Sequence, residues 1–264
     1  MATSFLDQTV KSVSRYRLDK LCFVVPNRRA TIYLNQAISE TLKKPSIGPQ
    51  IFDIDGFVRE VSGVEVPSKM ELIFTLYQSY SEVVADDKRD AFSTFLGWGE
   101  TLLNDLDAID RNLINRKGIF DYLSNLYQLK SWAKDESELV SHYLAFWDVL
   151  PQIYERFIDT LAGKGHGTQG MVYREAVANL EAYLEAHPDM HFVLCGFNAL
   201  SHSESNLFQS VLAQERATIF WDIDRFFLDD KAQRSSHFIA SYKDKWPFFE
   251  KHPFLGIHDA FSQP

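Results

Sequence analysis

The stretch Leu21-Cys22-Phe23-Val24-Val25-Pro26-Asn27-Arg28-Arg29-Ala30 decides the fold. Five consecutive apolar residues leave no polar face, which suits a central parallel strand covered on both sides. Pro26 closes the run, and Asn27 is suited to cap a helix. Ala30, Tyr33, Leu34, Ala37, Ile38 and Leu42 then recur at helical spacing and predict a buried helix face. That helix is expected to end near Lys44, because Pro45 follows. Gln50-Ile51-Phe52-Asp53-Ile54 reads as a second short strand, and Asp55 to Glu60 as the turn into a second helix. The order β-α-β-α is the signature of a parallel sheet covered by helices. Upstream, residues 4–16 read as a short helix.

The pattern then changes. From about Ser68 to Leu161 no strand is credible. Three helical stripes appear instead: Leu72 to Val84, Phe92 to Ile109, and a long one through Val140, Tyr143, Leu144, Trp147, Leu150, Tyr154 and Ile158. Pro151 is expected to kink or break the third. After this block the α/β alternation resumes. Tyr173 to Leu184 reads as a helix, Phe192 to Gly196 as a strand and Ser203 to Leu212 as a helix. Ala217 to Trp221 reads as a strand that ends in Asp222-Ile223-Asp224, and the tail from Ser235 to Glu250 as a last helix that stops before Trp246-Pro247 or soon after. Residues 1–65 and 170–264 are therefore expected to form one α/β domain, with 66–169 as an inserted all-helical subdomain.

Composition limits the function. A net charge of −9 excludes a uniformly basic nucleic-acid coat and leaves room only for a local basic patch. Cys22 and Cys195 are too few for a disulfide framework or a Cys-rich zinc site. Both lie in apolar strands and are expected to be buried and inert. Residues 1–17 lack the apolar core of a signal peptide, and no apolar run reaches ~18 residues, the length of a membrane span. The expectation is a globular protein of a reducing compartment, cytoplasmic and without a membrane partner.

Several segments invite a chemical reading. Gly163-Lys164-Gly165-His166-Gly167-Thr168 looks like a phosphate loop, but Gly165 follows the lysine and a helix precedes it, so a flexible interhelix loop is expected. No other Walker A segment and no G-x-G-x-x-G occurs. Asp105, Asp107 and Asp110 lack the spacing of a calcium loop and read as a solvated helix face. Asp53 with Asp55, and Asp222 with Asp224, end predicted strands, where α/β proteins build sites. They could hold Mg²⁺, or simply cap helices. His191 and His202 read as surface residues, and Ser201-His202 lacks a nucleophile elbow. The sharpest site is Pro26-Asn27-Arg28-Arg29-Ala30. It sets two cations and free N–H groups at a helix start after a parallel strand, a geometry that suits a nucleic-acid phosphate. Arginine there opposes the helix dipole, which itself hints at a function.

Taken together, these segments resemble the first RecA-like domain of superfamily I DNA helicases in inactivated form. More closely, they resemble the N-terminal region of AddB-type subunits of bacterial helicase–nucleases of the Bacteroidetes-type group. LCFVVPNRRATIYL (21–34) is similar to the strand-and-helix motif that contacts single-stranded DNA in UvrD-like helicases. QIFDIDGFVREV (50–61) is similar to the next DNA-contacting motif. FVLCGFNALSHSESNLFQSVL (192–212) stands where an active helicase has its DExx strand, and ATIFWDIDRFF (217–227) where one carries a γ-phosphate-sensing Gln. FLGWGETLLNDLDAID (95–110) resembles a block of the helical insertion.

The resemblance implies a RecA-like, P-loop NTPase-like sheet with helices on both faces. Its DNA-contacting residues are Asn27, Arg28, Arg29, Asp55 and Phe57. The Walker A segment is missing, Gly196-Phe197 replaces the acidic DExx pair, and no sensor Gln lies near Asp222. These groups bind Mg²⁺ and the β,γ-phosphates, so neither ATP hydrolysis nor a cofactor is expected. The implied role is scaffolding and DNA contact in double-strand-break repair, on single-stranded or duplex-end DNA. The implied partner is an active AddA-type helicase subunit. Family members continue into a second RecA-like domain and a nuclease domain, so the chain is expected to be a fragment or a truncated member. Two other readings remain open: a metal-dependent enzyme using Asp53, Asp55, Asp222 and Asp224, and a structural interaction module.

Overall fold

The computed structural model describes residues 4–42, 47–131, 138–230 and 234–259, with the backbone alone at 42, 126–131 and 138–145. The elements run α1 (Phe5–Ser12), β1 (Leu21–Val25), α2 (Arg28–Leu42), β2 (Gln50–Asp53), α3 (Ile54–Ser62), α4 (Lys69–Val83), α5 (Phe92–Arg111), α6 (Arg116–Ser131) and α7 (Glu138–Ala162). They continue with α8 (Gln169–Ala186), β3 (His191–Cys195), α9 (His202–Ala213), β4 (Ala217–Asp224), α10 (Arg225–Asp229), α11 (His237–Lys245) and β5 (Leu255–His258). The chain divides into two compact units, residues 1–61 with 176–264, and residues 62–175.

The first unit is built on a five-stranded, all-parallel sheet in the order β2-β1-β3-β4-β5. Every residue of β1 is buried, as a strand covered on both faces requires. Because side chains alternate, Leu21, Phe23 and Val25 share one face with Val193, Cys195 and Phe220. Val10 and Val13 at α1, and Leu34, Ala37 and Ile38 of α2, cover that face. On the other face, Phe57 of α3 meets Phe192 and Tyr183, with ring centroids 5.9 and 6.2 Å away. Helices thus lie on both faces.

The fifth strand was not expected. Leu255–His258 pairs in parallel with β4, with a register irregularity between Phe220 and Ile223. Gly256 makes this possible: its φ is +85°, and a Cβ there would overlap the Trp221 carbonyl. The last helix, α11, stops before Trp246-Pro247 as expected, because Pro247 ends it and starts a single 3-10 turn; it begins at His237 rather than Ser235. The first helix also ends early, at Ser12.

The second unit is helical, with a core that includes Leu76, Phe95, Tyr154 and Phe157. Pro151 marks no break and lies inside α7, which is continuous over Glu138–Ala162. A further helix, α6, follows Asn115, whose side chain accepts a bond from the Gly118 N–H at 2.8 Å. The side chains of Val140, Tyr143 and Leu144 lie outside the described residues, as does the expected helix end at Lys44. The 163–168 loop joins α7 to α8 and is pinned rather than loose. Glu65 N–H donates to the Gly165 carbonyl at 3.1 Å, and Gly167 N–H to the Glu65 carbonyl at 2.9 Å. Thr168 caps α8 through the Met171 N–H.

Asp110 is the main departure from the sequence reading. Asp105 is exposed, but Asp110 is 1% exposed and sits at the centre of a polar cluster. Arg116 and Arg174 both donate to its Oδ1, at 2.8 and 2.7 Å, and the Tyr154 hydroxyl donates to Oδ2 at 2.5 Å. Burial pushes the Tyr154 pKa up, and the neighbouring Asp110 charge pushes it further. Burial opposes the Arg116 charge, but Asp110 and Tyr154 together outweigh it and hold that pKa above its ordinary value.

Candidate nucleic-acid interface at the carboxyl edge of the sheet

In an all-parallel sheet the strand ends collect on one edge, and ligands of open α/β sheets bind there. The turn from β1 into α2 opens that edge. The Asn27 side chain accepts from the Ala30 N–H at 3.0 Å and caps α2, so the N–H groups of Arg28 and Arg29 have no intrahelical acceptor. Arg28 is 82% exposed, with Nε 3.5 Å from Asp53 Oδ2. The adjacency follows from register, since Val25 pairs with Asp53. The Arg28 end of this pair is in solvent and the contact is long, so it is worth no more than about 1 kcal/mol and a phosphate could replace Asp53. Arg29 is exposed and makes no ion pair among the described residues.

Asp53 also accepts from the Gly56 N–H at 2.9 Å and so caps α3. Asp55 is exposed in the first turn of α3. Phe57 must be removed from the candidate set. It is 1% exposed, wedged among Phe52, Tyr183 and Phe192, and its ring cannot reach a base. Asn27, Arg28, Arg29 and Asp55 remain at the surface.

The other half of the edge has different chemistry. A cavity of about 520 Å³ is lined by Gly196, Asn198, Asp222, Phe227, Ser235 and His258 among others. His258 Nε2 lies 2.9 Å from Asp222 Oδ1, and Asp224 caps α10 through the Phe226 N–H. Asp222 and Asp224 are the carboxylates of this lining and disfavour an anion. Phe5 lies over the ends of β1 and β3. Its ring contacts His258 at 5.9 Å, and a Cβ on Gly196 would touch it at 3.7 Å. An aromatic ring therefore occupies the crevice.

The two Asp pairs do not converge. Asp53 ends β2 and Asp224 ends β4, with β1 and β3 between them, three strand spacings or about 14 Å apart. Among the described residues, no group of three or more His, Cys, Asp and Glu side chains could hold a metal ion. Cys22 and Cys195 are buried, and burial pushes both thiols up to about 12, so neither is a nucleophile at neutral pH. His202 is exposed. His191 is not a simple surface residue. It is half-buried, stacked on Tyr16 at 4.2 Å, with Nε2 2.9 Å from Thr218 Oγ1.

One feature of α2 escaped the sequence reading. Tyr33, expected in the core, is 57% exposed, and Ile32 is 67% exposed. The buried stripe is Leu34, Ala37 and Ile38, and at 100° per residue Tyr33 falls roughly a quarter turn from its centre. A helical projection of those residues carries the signal.

No family model matches this chain, and no curated protein matches it. No helix among the described residues is long and apolar enough to cross a membrane.

Proposed function

We propose that this chain is a catalytically inactive, RecA-like domain of the superfamily I helicase type. In this reading it contacts DNA and scaffolds an active AddA-type helicase subunit in a cytoplasmic helicase–nuclease for double-strand-break repair. The observation that carries the reading is the β1–α2 turn, where Arg28 and Arg29 stand exposed at a helix start on the carboxyl edge. The resemblance of 21–34 and 50–61 to DNA-contacting helicase motifs gives that turn its ligand. Phe5 over the β1–β3 crevice and the carboxylates beside it support a role without nucleotide hydrolysis.

The contact is to backbone phosphate. Two guanidinium groups and two unpaired N–H groups read charge and not base identity, so the site holds any sequence equally. The test is single-strand binding by fluorescence anisotropy at several salt concentrations, comparing the natural protein with R28A/R29A. Losing two phosphate contacts is expected to weaken binding to every sequence and to flatten the salt dependence by about 0.7 per contact. Unchanged affinity and unchanged slope would sink the DNA reading. Calorimetry with ATP and Mg²⁺ is expected to be flat. A DNA-stimulated ATPase that survives repurification would refute the inactive assignment.

A second reading, a protein-interaction module, is favoured by one observation. Met70 and Phe74 of α4, with Leu96 of α5, are exposed large apolar side chains, and Phe74 stacks on Phe92 at 4.7 Å.

A further inference from the structure

The first two turns of α2 present four side chains to solvent on one side of the helix: Arg28, Arg29, Ile32 and Tyr33. The opposite side is the buried stripe of Leu34, Ala37 and Ile38. Ile32 lies four residues after Arg28, and Tyr33 four after Arg29, so each cation is one turn from a large apolar group, about 6 Å along the axis. The Tyr33 hydroxyl has no hydrogen-bond partner among the described residues.

A single exposed apolar residue needs no explanation. Two adjacent ones, each one turn from an exposed arginine, form a surface with two kinds of affinity. Cations hold phosphates, and a flat ring offers a stacking platform that accepts any base. We infer that Tyr33, supported by Ile32, is a base-stacking residue for single-stranded nucleic acid whose phosphates are held by Arg28 and Arg29. The inference rests on the DNA-contacting reading above and names the part of the ligand that the arginines alone do not select.

Charge complementarity selects the occupant. A nucleic-acid strand offers a negative backbone and an apolar face within one repeating unit, matching a cation and a ring one helical turn apart. A duplex does not fit, because its bases stack on one another and present no face to Tyr33. A purely apolar protein partner would leave two arginines facing an uncharged surface. Specificity for single strands therefore comes from Tyr33, and charge attraction from the arginines.

The test uses the whole chain and two probes of equal length, a thymidine oligonucleotide and an abasic oligomer with the same phosphates. Y33A is expected to weaken binding of the thymidine strand about tenfold, the scale of one lost stacking contact, and to leave the salt dependence unchanged. Y33F keeps the ring and is expected to bind like the natural protein. The natural protein is expected to prefer the thymidine strand over the abasic one, and Y33A to lose that preference. R28A/R29A is expected to weaken both probes and flatten the salt dependence. If Y33A binds both probes like the natural protein while R28A/R29A is weak, the stacking role is overturned and the phosphate contact stands. If neither variant changes binding, both readings fail. Tyr33 is largely exposed, so its substitution leaves the fold intact, which circular dichroism of each variant checks.

Discussion

In the sheet unit, helices on both faces bury apolar side chains, and the charged groups gather at strand ends: Asp53 after β2, Asp222 and Asp224 at the end of β4, and His258 on β5. In the helical unit a carboxylate sits in the interior. Asp110 of α5 binds Arg116 of α6, Tyr154 of α7 and Arg174 of α8. The difference follows from how each architecture specifies itself. Parallel strands hold their partners through backbone bonds that run from strand to strand. Helices satisfy their backbone bonds internally and can slide or rotate on an apolar interface. A charge that must meet three partners selects one arrangement.

The largest effect expected from breaking this comparison is at Asp110. Asp110→Ala removes the carboxylate shared by two guanidinium groups and a hydroxyl, and is expected to cost about 3 kcal/mol in urea denaturation, the low end for a broken buried pair because Arg174 keeps its bonds to the Ile109 and Ile114 carbonyls. Replacing Asp110, Arg116 and Arg174 together by apolar residues is expected to recover most of that loss, because no buried charge is then unpaired. A loss below about 1 kcal/mol for Asp110→Ala would mean that the cluster does not organise the unit.

The same contrast separates what the sequence reveals from what it hides. The strands β1, β3 and β4 are legible because apolar runs of this length, covered on both faces, have few other uses. The strand β5 is hidden because Leu255-Gly256-Ile257-His258 is short, only half-buried and interrupted by glycine, so its identity depends on pairing with β4. Asp110 is hidden for a similar reason. Its burial is permitted by arginines 6 and 64 residues further along, and no local pattern announces that convergence. At the candidate site the Asn27 cap and the exposed arginines are legible from the strand–proline–cap order. Phe57 and Tyr33 are both misplaced, in opposite directions, because each was judged by its motif or its spacing and not by its angle on the helix.

Within the sheet unit a charge is disfavoured at His191, and pH tests that point. Burial first, with the Arg15 and Arg216 cations acting in the same sense, lowers the His191 pKa from 6.5 to about 4. A histidine whose folded pKa lies below its unfolded value is a stabilising neutral group. Between pH 6.5 and 4 the unfolded chain binds the extra proton, so stability is fully present above 6.5 and is lost as pH falls to about 4. Partial exposure reduces the effect to about 1–2 kcal/mol. The measurement is urea stability at pH 7 and pH 4.5 for the natural protein and for His191→Gln. The variant is expected to lose less stability on acidification, and an identical loss would show that His191 does not titrate in this window.

The smallest expected difference comes from one motif used twice. Ser201-His202-Ser203-Glu204 begins α9 in the sheet unit, and Ser68-Lys69-Met70-Glu71 begins α4 in the helical unit. Both spell S-x-x-E, the pattern of a reciprocal capping box. At α9 the box is complete: Ser201 N–H donates to Glu204 Oε2 at 2.7 Å, and Glu204 N–H donates to Ser201 Oγ at 3.3 Å. At α4 only half forms. Glu71 N–H donates to Ser68 Oγ at 3.3 Å, while one Glu71 carboxylate oxygen lies 3.7 Å from His166 Nδ1, too far for a hydrogen bond. Serine caps are worth about 1 kcal/mol each, so Ser201→Ala and Ser68→Ala are expected to cost similar amounts. The glutamates are expected to differ. Glu204→Ala removes the carboxylate that accepts the Ser201 N–H and is expected to cost about 1 kcal/mol. Glu71→Ala removes a first-turn charge that bonds nothing at its cap, and is expected to cost about half that or less. Urea denaturation of the four single variants measures all of these losses. Equal losses at Glu204 and Glu71 would mean that the box closes at both helices in solution, and that the open arrangement at α4 is not the one that stabilises it.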